Sequence, residues 1–312
     1  MNFPQPKVTL LPSGLDLHGK TAVVTGATAG IGLETARQLL KLKISNLILA
    51  VRNVSKGEEC KQELRQFNIT AKIMILELNT DDYKSVQSFA AALQREIPVV
   101  DILILNAGIG LLKFERSPSG HERVTQVNYL SNVLLITALV PHLTEENRLS
   151  CSRHLDKKAP LKAGESVLEH MDSKEFFLAN QRYNDSKLLC AMFMYSLAPR
   201  LDKSKIVLNM VCPGLVNTNM TDVLPLHVRM VMGVVKTLFA RPVEVGGRLF
   251  IHAAVVAGPE SHGRFLGDKD IIEPSPYLLS PAGQAVQKSL WAETIAEMGR
   301  LTDLPPEFTT KE

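Results

Sequence analysis

Hydrophobic residues along this chain cluster in short continuous runs that alternate with stretches of helical periodicity. A continuous apolar run predicts a strand buried on both faces, as in a parallel sheet. Apolar residues three or four positions apart predict an amphipathic helix. The predicted strands are residues 21–24, 46–51, 71–78, 99–105 and 206–211, with a last one near 271–272. The predicted helices are residues 33–40, 56–67, 81–95, 119–143, 183–201, 243–256 and 280–298. This alternation predicts an α/β fold, a doubly wound parallel sheet with helices on both faces.

The length and composition fit a single domain. The chain has 312 residues, of which 45% are hydrophobic and 21% charged, enough for one large core. The net charge of +3 is too small to suggest a nucleic-acid partner. No run of about 18 apolar residues is present, so we expect no membrane span. Residues 1–18 form a proline-containing extension without a signal-peptide pattern, and we expect a cytoplasmic protein.

The cysteines and histidines show no metal-binding spacing. Cys60, Cys151, Cys190 and Cys212 lie far apart and form no C-x-x-C pair. They are predicted to be buried thiols in a reducing compartment. None of the eight histidines falls in an H-x-x-x-H or H-E-x-x-H pattern, so no metal site is expected.

A glycine-rich turn joins the first predicted strand to the first helix. Residues 25–32, TGATAGIG, place glycines at 26, 30 and 32. Without a β-carbon these residues allow a sharp turn and a close approach of a phosphate. The helix that opens at Gly30 or Ile31 directs unpaired N–H groups and its positive dipole end to the same space. The pattern predicts a dinucleotide pyrophosphate site, although glycines can also mark an ordinary turn.

Basic residues follow the second predicted strand. Arg52 stands where a dinucleotide-binding fold meets the adenosine ribose, and residues 46–56 contain no Asp or Glu. An acidic residue here selects NAD, whereas an arginine accommodates the 2′-phosphate of NADP. Arg52, with Lys56 as a second cation, therefore predicts NADP(H). The alternative is that Arg52 is a surface residue that ends a strand.

Two further motifs stand in order along the chain. Asn106, Ala107 and Gly108 follow the fourth strand, at the sheet edge where parallel sheets bind ligands, and the amide of Asn106 is expected to brace the turn there. Tyr183 and Lys187 are four residues apart, so both can lie on one helix face. An ammonium about 4 Å from a phenolate stabilises it by roughly 4 kcal/mol at an effective dielectric constant near 20. The pair is thus suited to proton transfer near neutral pH. The alternative is a solvent-exposed helix start.

The order of TGATAGIG, NAG, YNDSK and CPGLVNT resembles that of the short-chain dehydrogenase/reductase family, across residues 20–273. The LAVRN segment and the long insertion resemble its retinol-dehydrogenase-like branch. Residues 253–263 and 273–276 are similar to fungal members of secondary-metabolite pathways. The resemblance implies a Rossmann-type fold, a polar insertion at 153–182 and a substrate lid at 219–241. The apolar, methionine-containing lid would suit a hydrophobic substrate, although a packed amphipathic helix is equally compatible with the pattern.

The resemblance also assigns roles to individual residues. The catalytic residues would be Ser152, Tyr183, Lys187 and Asn128, with Asn128 holding a water in the proton relay. The cofactor-binding residues would be Gly26, Gly30, Ile31, Gly32, Arg52, Lys56, Asn79, Asn106, Ala107, Gly108, Tyr183, Lys187, Val216 and Thr218.

Two of these positions depart from the family pattern. Asn79 stands where the family commonly has an aspartate near the adenine. Residues 145–154 show a shortened strand before Ser152, with only Leu149 and Cys151 apolar, so Ser150 is the alternative catalytic serine.

The leading hypothesis is an NADP(H)-dependent oxidoreductase that reduces a ketone or aldehyde of an apolar small molecule. One alternative is a catalytically silent NADP-binding protein with a regulatory or scaffolding role. Another is an isomerase or dehydratase on the same scaffold. We expect a monomer or a homodimer, since the long insertion would disfavour the helix-bundle dimer common in the family.

Overall fold

In a computed structural model, which describes residues 5–143, 147–150, 164–218 and 226–309, the described residues form eight strands. They are β1 (Thr21–Thr25), β2 (Asn46–Val51), β3 (Lys72–Glu77), β4 (Ile102–Leu105), β5 (Asn147–Ser150), β6 (Asn209–Cys212), β7 (Arg264–Gly267) and β8 (Asp270–Ile272). The α-helices are α1 (Gly30–Lys41), α2 (Val54–Leu64), α3 (Tyr83–Glu96), α4 (Arg123–Thr125), α5 (Ser131–Leu139), α6 (Val167–Asp172), α7 (Ala179–Leu197), α8 (Leu226–Phe239), α9 (Val243–Ile251), α10 (Pro276–Leu279), α11 (Pro281–Met298) and α12 (Pro306–Thr309). Between α4 and α5 the helix continues as a π turn at Gln126–Leu130.

The strands form one sheet in the order β3-β2-β1-β4-β5-β6-β7-β8. All neighbouring pairs are parallel except β7 with β8, which is antiparallel. The order runs outward from β1 in both directions, which is the doubly wound arrangement. The predicted fold class is therefore confirmed. The single strand expected near 271–272 is instead the second strand of a hairpin, because β7 precedes it.

Both faces of the sheet are covered by helices. In β1, Val23 belongs to the core that includes residues of α3, α5, α7 and α11. The next residue, Val24, belongs to the opposite core with residues of α1 and α9. Full burial of such a side chain is worth about 1.5–3 kcal/mol. This two-sided burial explains why β1, β2 and β4 are continuous apolar runs.

Strand β5 is short, as its sequence suggested. Leu149 pairs with Leu105 of β4 and with Met210 of β6, so the strand occupies the centre of the sheet. Ser150 is its last residue and pairs with Val211. Ser152 lies outside the described residues, as does most of the proposed insertion, whose described part starts at residue 164.

Two predicted helix boundaries were wrong. The helix expected from residue 119 starts at Arg123, because residues 117–121 form a turn in which the Ser117 N–H donates to the His121 carbonyl at 2.8 Å. The helix expected from Tyr183 starts one turn earlier, at Ala179. The residue before it, Leu178, is extended and provides no side-chain cap, so the sequence carried no start signal there.

The stretch Arg123–His142 has the length and mean hydropathy (1.3) of a membrane-spanning helix, but 89% of its most apolar window is buried inside the protein. Such burial is typical of a core helix. Within the described residues, Cys60, Cys190 and Cys212 form no disulfide; the first two are buried and Cys212 is half-buried. Cys151 lies outside the described residues.

Candidate active site

The glycine turn between β1 and α1 forms a tight cradle at the carboxyl edge of the sheet. Gly26 and Gly30 have φ angles of +66° and +54°, which other residues rarely adopt. A β-carbon on Gly32 would lie 2.5 Å from both the Gly26 carbonyl oxygen and Asn106 Nδ2. No side chain caps α1, so its first N–H groups, beginning at Gly30, face the turn unpaired. The turn is thus suited to an anion such as a pyrophosphate.

The loop after β4 is fastened to the end of β1. Asn106 Nδ2 donates to the Thr25 carbonyl at 2.9 Å, and the Ala107 N–H donates to Thr25 Oγ1 at 3.0 Å. A β-carbon on Gly26 would lie 3.1 Å from the Ala107 Cα, so the two loops are in contact. The amide of Asn106 therefore braces the turn, as predicted from its position after a buried strand.

Asn128 lies in the π turn and joins this loop to α7. Its side chain is fully buried. Asn128 Oδ1 accepts from the Ile109 N–H at 2.8 Å, and Nδ2 donates to the Ile109 carbonyl at 2.9 Å and to Ser186 Oγ at 3.0 Å. Ser186 stands between Tyr183 and Lys187 in sequence. The structure thus gives Asn128 a bracing role, and its role in a water relay stays a prediction.

Tyr183 and Lys187 meet on one face of α7. Lys187 Nζ lies 5.6 Å from the centroid of the Tyr183 ring. Lys187 is 7% exposed, which excludes the solvent-exposed helix start considered above. A β-carbon on Gly108 would lie 3.6 Å from Lys187 Nζ, and one on Gly110 would lie 3.8 Å from Tyr183 Cδ2. The ammonium, the phenol and the loop after β4 therefore share one space.

A buried ionic cluster supports the first turn of α7. Arg182, next to Tyr183, is 1% exposed, and its Nε lies 4.0 Å from Glu122 Oε2. Burial lowers the pKa of this guanidinium, while Glu122 acts in the opposite direction. The carboxylate of Glu122 also accepts from the N–H groups of Val124 and Thr125, which caps α4. The helix of Tyr183 is thereby linked to the helix of Asn128.

The loop after β6 closes the opposite side of the cradle. A β-carbon on Gly30 would lie 3.4 Å from Thr218 Cγ2. A β-carbon on Gly246 of α9 would lie 3.2 Å from both Ile31 and Val216. The predicted residues Ile31, Val216 and Thr218 are therefore neighbours of one another across the glycine turn.

The adenosine side of the candidate site holds the two predicted cations and Asn79. Arg52 follows β2 directly and is exposed, and it makes no hydrogen bond or ion pair with another residue in the described part of the chain. Lys56 is exposed in the first turn of α2, which Cys60 Sγ connects to the Thr28 carbonyl of the glycine turn at 3.7 Å. Asn79 Oδ1 accepts from the Asp81 N–H at 3.2 Å, which braces a turn after β3.

The comparisons with known proteins decide the family. A family model described as short chain dehydrogenase matches residues 20–149. The short chain dehydrogenases macD of Penicillium terrestre and yanD of Aspergillus niger are 58% and 56% identical, each over 99% of both chains. This chain belongs to the short-chain dehydrogenase/reductase family. Among solved structures, an uncharacterised protein from Mycobacterium paratuberculosis superposes with a TM-score of 0.70 at 24% identity, over 95% of this chain and 100% of that one.

Members of the short-chain dehydrogenase/reductase family are oxidoreductases that use nicotinamide cofactors, and the residues present fit such a group. The glycine cradle, the uncapped N-terminus of α1 and the exposed Arg52 match pyrophosphate and ribose chemistry. Within the described ranges, no group of three or more His, Cys, Asp or Glu side chains is arranged to hold a metal ion.

Sequence reasoning missed several residues that hold the site of this short-chain dehydrogenase/reductase together. Thr25, Ser186 and the Arg182–Glu122 pair act through contacts between segments that are far apart in sequence. Gln5 is a fourth case, since its side chain reaches the loop after β6 across 210 positions. No sequence pattern signalled these residues, since the burial of Arg182 and the reach of Gln5 arise only in the folded chain.

Proposed function

We propose that this protein is an NADP(H)-dependent reductase of a ketone or aldehyde on an apolar small molecule, in a secondary-metabolite pathway. The observation that carries the proposal is the meeting of Tyr183 and Lys187 beside the loop after β4, at the carboxyl edge of the sheet. The nicotinamide cofactor would supply a hydride to the carbonyl carbon. The side chains of the chain itself would handle the proton and the charge on oxygen.

Each side chain has a distinct role in this proposal. Tyr183 donates the proton to the carbonyl oxygen, and the Lys187 ammonium stabilises the phenolate left behind and holds the cofactor ribose. A serine, either Ser152 or alternatively Ser150, the last residue of β5, donates a hydrogen bond to the developing oxyanion. Asn128 holds the loop after β4 against α7 and supports the water relay.

Arg52 supports NADP(H) over NAD(H). It is an exposed guanidinium at the end of β2, beside the glycine turn, with no described partner to neutralise it. A 2′-phosphate would provide the partner, in the bidentate geometry that arginine prefers. Lys56, on the neighbouring turn of α2, would add a second positive charge.

Helix α8 supports an apolar substrate. None of its residues is buried, which does not fit a packed amphipathic helix. The exposed large apolar residues of α8 are Leu226, Met230, Val231, Val234, Leu238 and Phe239. Lys236 Nζ donates to the Thr218 carbonyl, so the helix is joined to the loop proposed to hold the cofactor. An exposed apolar helix in this place is suited to cover a hydrophobic ligand.

We further propose that the protein acts in the cytoplasm, as a monomer or a homodimer. The three described cysteines form no disulfide with one another, in line with a reducing compartment. Light scattering of the purified protein would measure the oligomeric state, and cell fractionation would test the compartment.

The test is NADPH oxidation with a panel of apolar ketones and aldehydes, comparing wild type with Tyr183→Phe. Loss of the proton donor is expected to lower kcat by about 100- to 10,000-fold. NADPH affinity, measured by fluorescence, should stay unchanged. Tyr277→Phe, a change on an exposed tyrosine of α10, is the matched control and should keep full activity.

Three outcomes would contradict the proposal. Equal turnover by wild type and Tyr183→Phe would remove the tyrosine from the mechanism. NADPH binding without oxidation by any carbonyl would favour a silent binding protein. A cofactor-dependent product without net NADPH loss would favour an isomerase or dehydratase.

A further inference from the structure

The segment before β1 crosses the loop after β6 and the β7–β8 hairpin. We call residues 5–10 the strap. Besides the contacts of Gln5, the strap accepts hydrogen bonds from three side chains of the body of the protein. Arg241 Nη2 donates to the Pro6 carbonyl at 2.8 Å, Arg248 Nη1 donates to the Val8 carbonyl at 3.2 Å, and Lys269 Nζ donates to Thr9 Oγ1 and the Leu10 carbonyl, both at 3.0 Å.

The side-chain amide of Gln5 pairs with the backbone of Leu215. Gln5 Oε1 accepts from the Leu215 N–H at 3.0 Å, and Gln5 Nε2 donates to the Leu215 carbonyl at 3.0 Å. Gln5 Nε2 also donates to the Phe239 carbonyl, at the end of α8, at 2.8 Å. Gly214 has a φ of +73°, and a β-carbon there would collide with Gln5 Oε1. A glycine at 214 is therefore required for Gln5 to reach the loop.

Arg241 holds the other side of the same loop. Its N–H donates to the Leu215 carbonyl at 2.8 Å, and its carbonyl accepts from the Asn217 N–H at 2.9 Å. In this parallel bridge the N–H and C=O of Val216 point away from Arg241. In the described part of the chain no residue pairs with them. The loop is thus clamped at Leu215 and Asn217, while the backbone of Val216 between them is left for a ligand.

We propose that Gln5 is a positioning residue for the nicotinamide end of the cofactor. By fixing Leu215 it sets the orientation of the Val216 peptide, and by binding the Phe239 carbonyl it joins that peptide to α8. This inference rests on the proposed function, because it takes Val216 and Thr218 to contact the nicotinamide half of NADPH. The adenosine half is held elsewhere, near Arg52 and the glycine turn.

The role of Gln5 can be tested because the nicotinamide and adenosine halves of NADPH would bind at separate places. The fragment 2′,5′-ADP carries the adenosine and the 2′-phosphate but lacks the nicotinamide. Gln5→Ala is expected to raise the Kd of NADPH by about tenfold, the size of one to two lost hydrogen bonds. The Kd of 2′,5′-ADP should stay within about twofold of wild type. A merely structural role would not separate the two ligands.

Gln5→Glu provides a second, isosteric variant. It keeps an oxygen for the Leu215 N–H but turns a second oxygen towards the Leu215 and Phe239 carbonyls, which repel it. NADPH affinity is expected to fall at least as far as in Gln5→Ala. Lys269→Ala is the matched control, because it releases the strap at Thr9 and Leu10 without touching the loop. It should leave both Kd values unchanged.

The binding measurements separate failure of this inference from failure of the proposed function. If wild type binds neither NADPH nor 2′,5′-ADP, the proposed cofactor is wrong and the inference falls with it. If wild type binds both but Gln5→Ala binds NADPH normally, the inference alone is overturned. The inference would also be overturned if Gln5→Ala bound both ligands equally more weakly, or if Lys269→Ala weakened NADPH binding as much as Gln5→Ala does. Either result would indicate general destabilisation of the protein. Circular dichroism and thermal melting of each variant would accompany the titrations.

Discussion

At the scale of single residues, most polar side chains around the candidate site already have partners within the protein. Asn106 and Thr25 hold the loop after β4, and Asn128 holds that loop to α7. These residues define the shape of the site before any ligand arrives. Arg52 differs, since it is exposed and makes no hydrogen bond to the described residues. Such an unpaired guanidinium is available for an anionic group of a ligand.

Arg52→Ala tests the cofactor choice. Charge-assisted hydrogen bonds are worth about 1.5–3 kcal/mol, so the Kd of NADPH should rise roughly 10- to 100-fold. The Kd of NADH, which has no 2′-phosphate, should change little. Arg95→Ala, on an exposed arginine of α3 paired with Glu96, is the matched control. Equal weakening of both cofactors by Arg52→Ala would exclude recognition of the 2′-phosphate.

Sequence spacing predicted some residue placements and could not predict others. Tyr183 and Lys187 were expected to share a face because four residues make about one helical turn, and they do. The bracing role of Asn106 followed from its place after a buried strand. Gln5 and Arg182 could not be found in this way, because their partners are brought to them only by the folded chain. The choice between Ser150 and Ser152 stays open, since β5 is too short to fix it by pattern.

At the scale of secondary-structure elements, the β1–α1 unit combines a turn that only glycine can make with an uncapped helix start. Gly32→Ala tests this packing. Its new β-carbon would press on the Gly26 carbonyl, which is backbone and cannot move aside. We expect a loss of about 1–3 kcal/mol in the free energy of unfolding, together with weaker NADPH binding.

Gly233→Ala is the control for Gly32→Ala. Gly233 lies inside α8, and a β-carbon there would meet no atom of the described residues within 4 Å apart from its own stretch of helix. It should therefore be neutral or stabilise the protein by up to about 1 kcal/mol. Urea denaturation of both variants gives the comparison. Equal stability of the Gly32→Ala protein and wild type would contradict the close packing of the turn.

Helix α8 offers a second prediction at this scale. Met230 is 62% exposed, and a charge there would oppose an apolar ligand beneath the helix. Met230→Asp is expected to raise KM for an apolar ketone by about 3- to 10-fold, a change of roughly 1 kcal/mol. The Kd of NADPH should be unaffected. Ile69→Asp, at a 91% exposed apolar site before β3, should alter neither value. An unchanged KM in Met230→Asp would remove α8 from the substrate site.

Element boundaries were predictable where the local pattern is strong. β2 was predicted residue for residue, since it is a continuous apolar run buried on both faces. The start of α7 was missed because no local side chain caps it. Its first turn instead contains Arg182, which is buried against Glu122, a residue far away in sequence. β7 was missed because it has only four residues and ends in glycine, so its sequence carries little strand signal. The strand forms through its pairing with β6.

At the scale of the whole molecule, a half-buried histidine joins three distant segments. His121 Nδ1 lies 2.7 Å from Asp172 of α6, and Nε2 lies 3.3 Å from Glu297 of α11. Burial opposes protonation, but the two carboxylates outweigh it and raise the pKa of His121 to about 9. The charged histidine in turn lowers the pKa of Glu297. The rings of Tyr83 and His121 pack in a T-shaped arrangement, with centroids 5.9 Å apart.

This cluster predicts a pH-dependent stability. The pKa of His121 is about 9 in the folded protein and about 6.5 when unfolded, so its contribution is complete below pH 6.5. This contribution to the free energy of unfolding is about 3 kcal/mol, and it is lost as the pH rises through about 9. Urea unfolding at several pH values should show this loss in wild type. His121→Gln, which does not titrate, should lack it, and an identical pH dependence in both proteins would contradict the interpretation.

The central claim of the proposed function is that Tyr183, whose phenolate Lys187 stabilises, would donate a proton while NADPH would supply a hydride. The most direct measurement is deuterium transfer to an apolar ketone from NADPH that carries deuterium at both nicotinamide C4 positions, followed by mass spectrometry in single-turnover mixing. Wild type should place one deuterium on the carbinol carbon. Tyr183→Phe should bind the cofactor equally but transfer at least about 100-fold more slowly. Transfer at the wild-type rate by Tyr183→Phe, or a wild-type product without deuterium, would contradict the account.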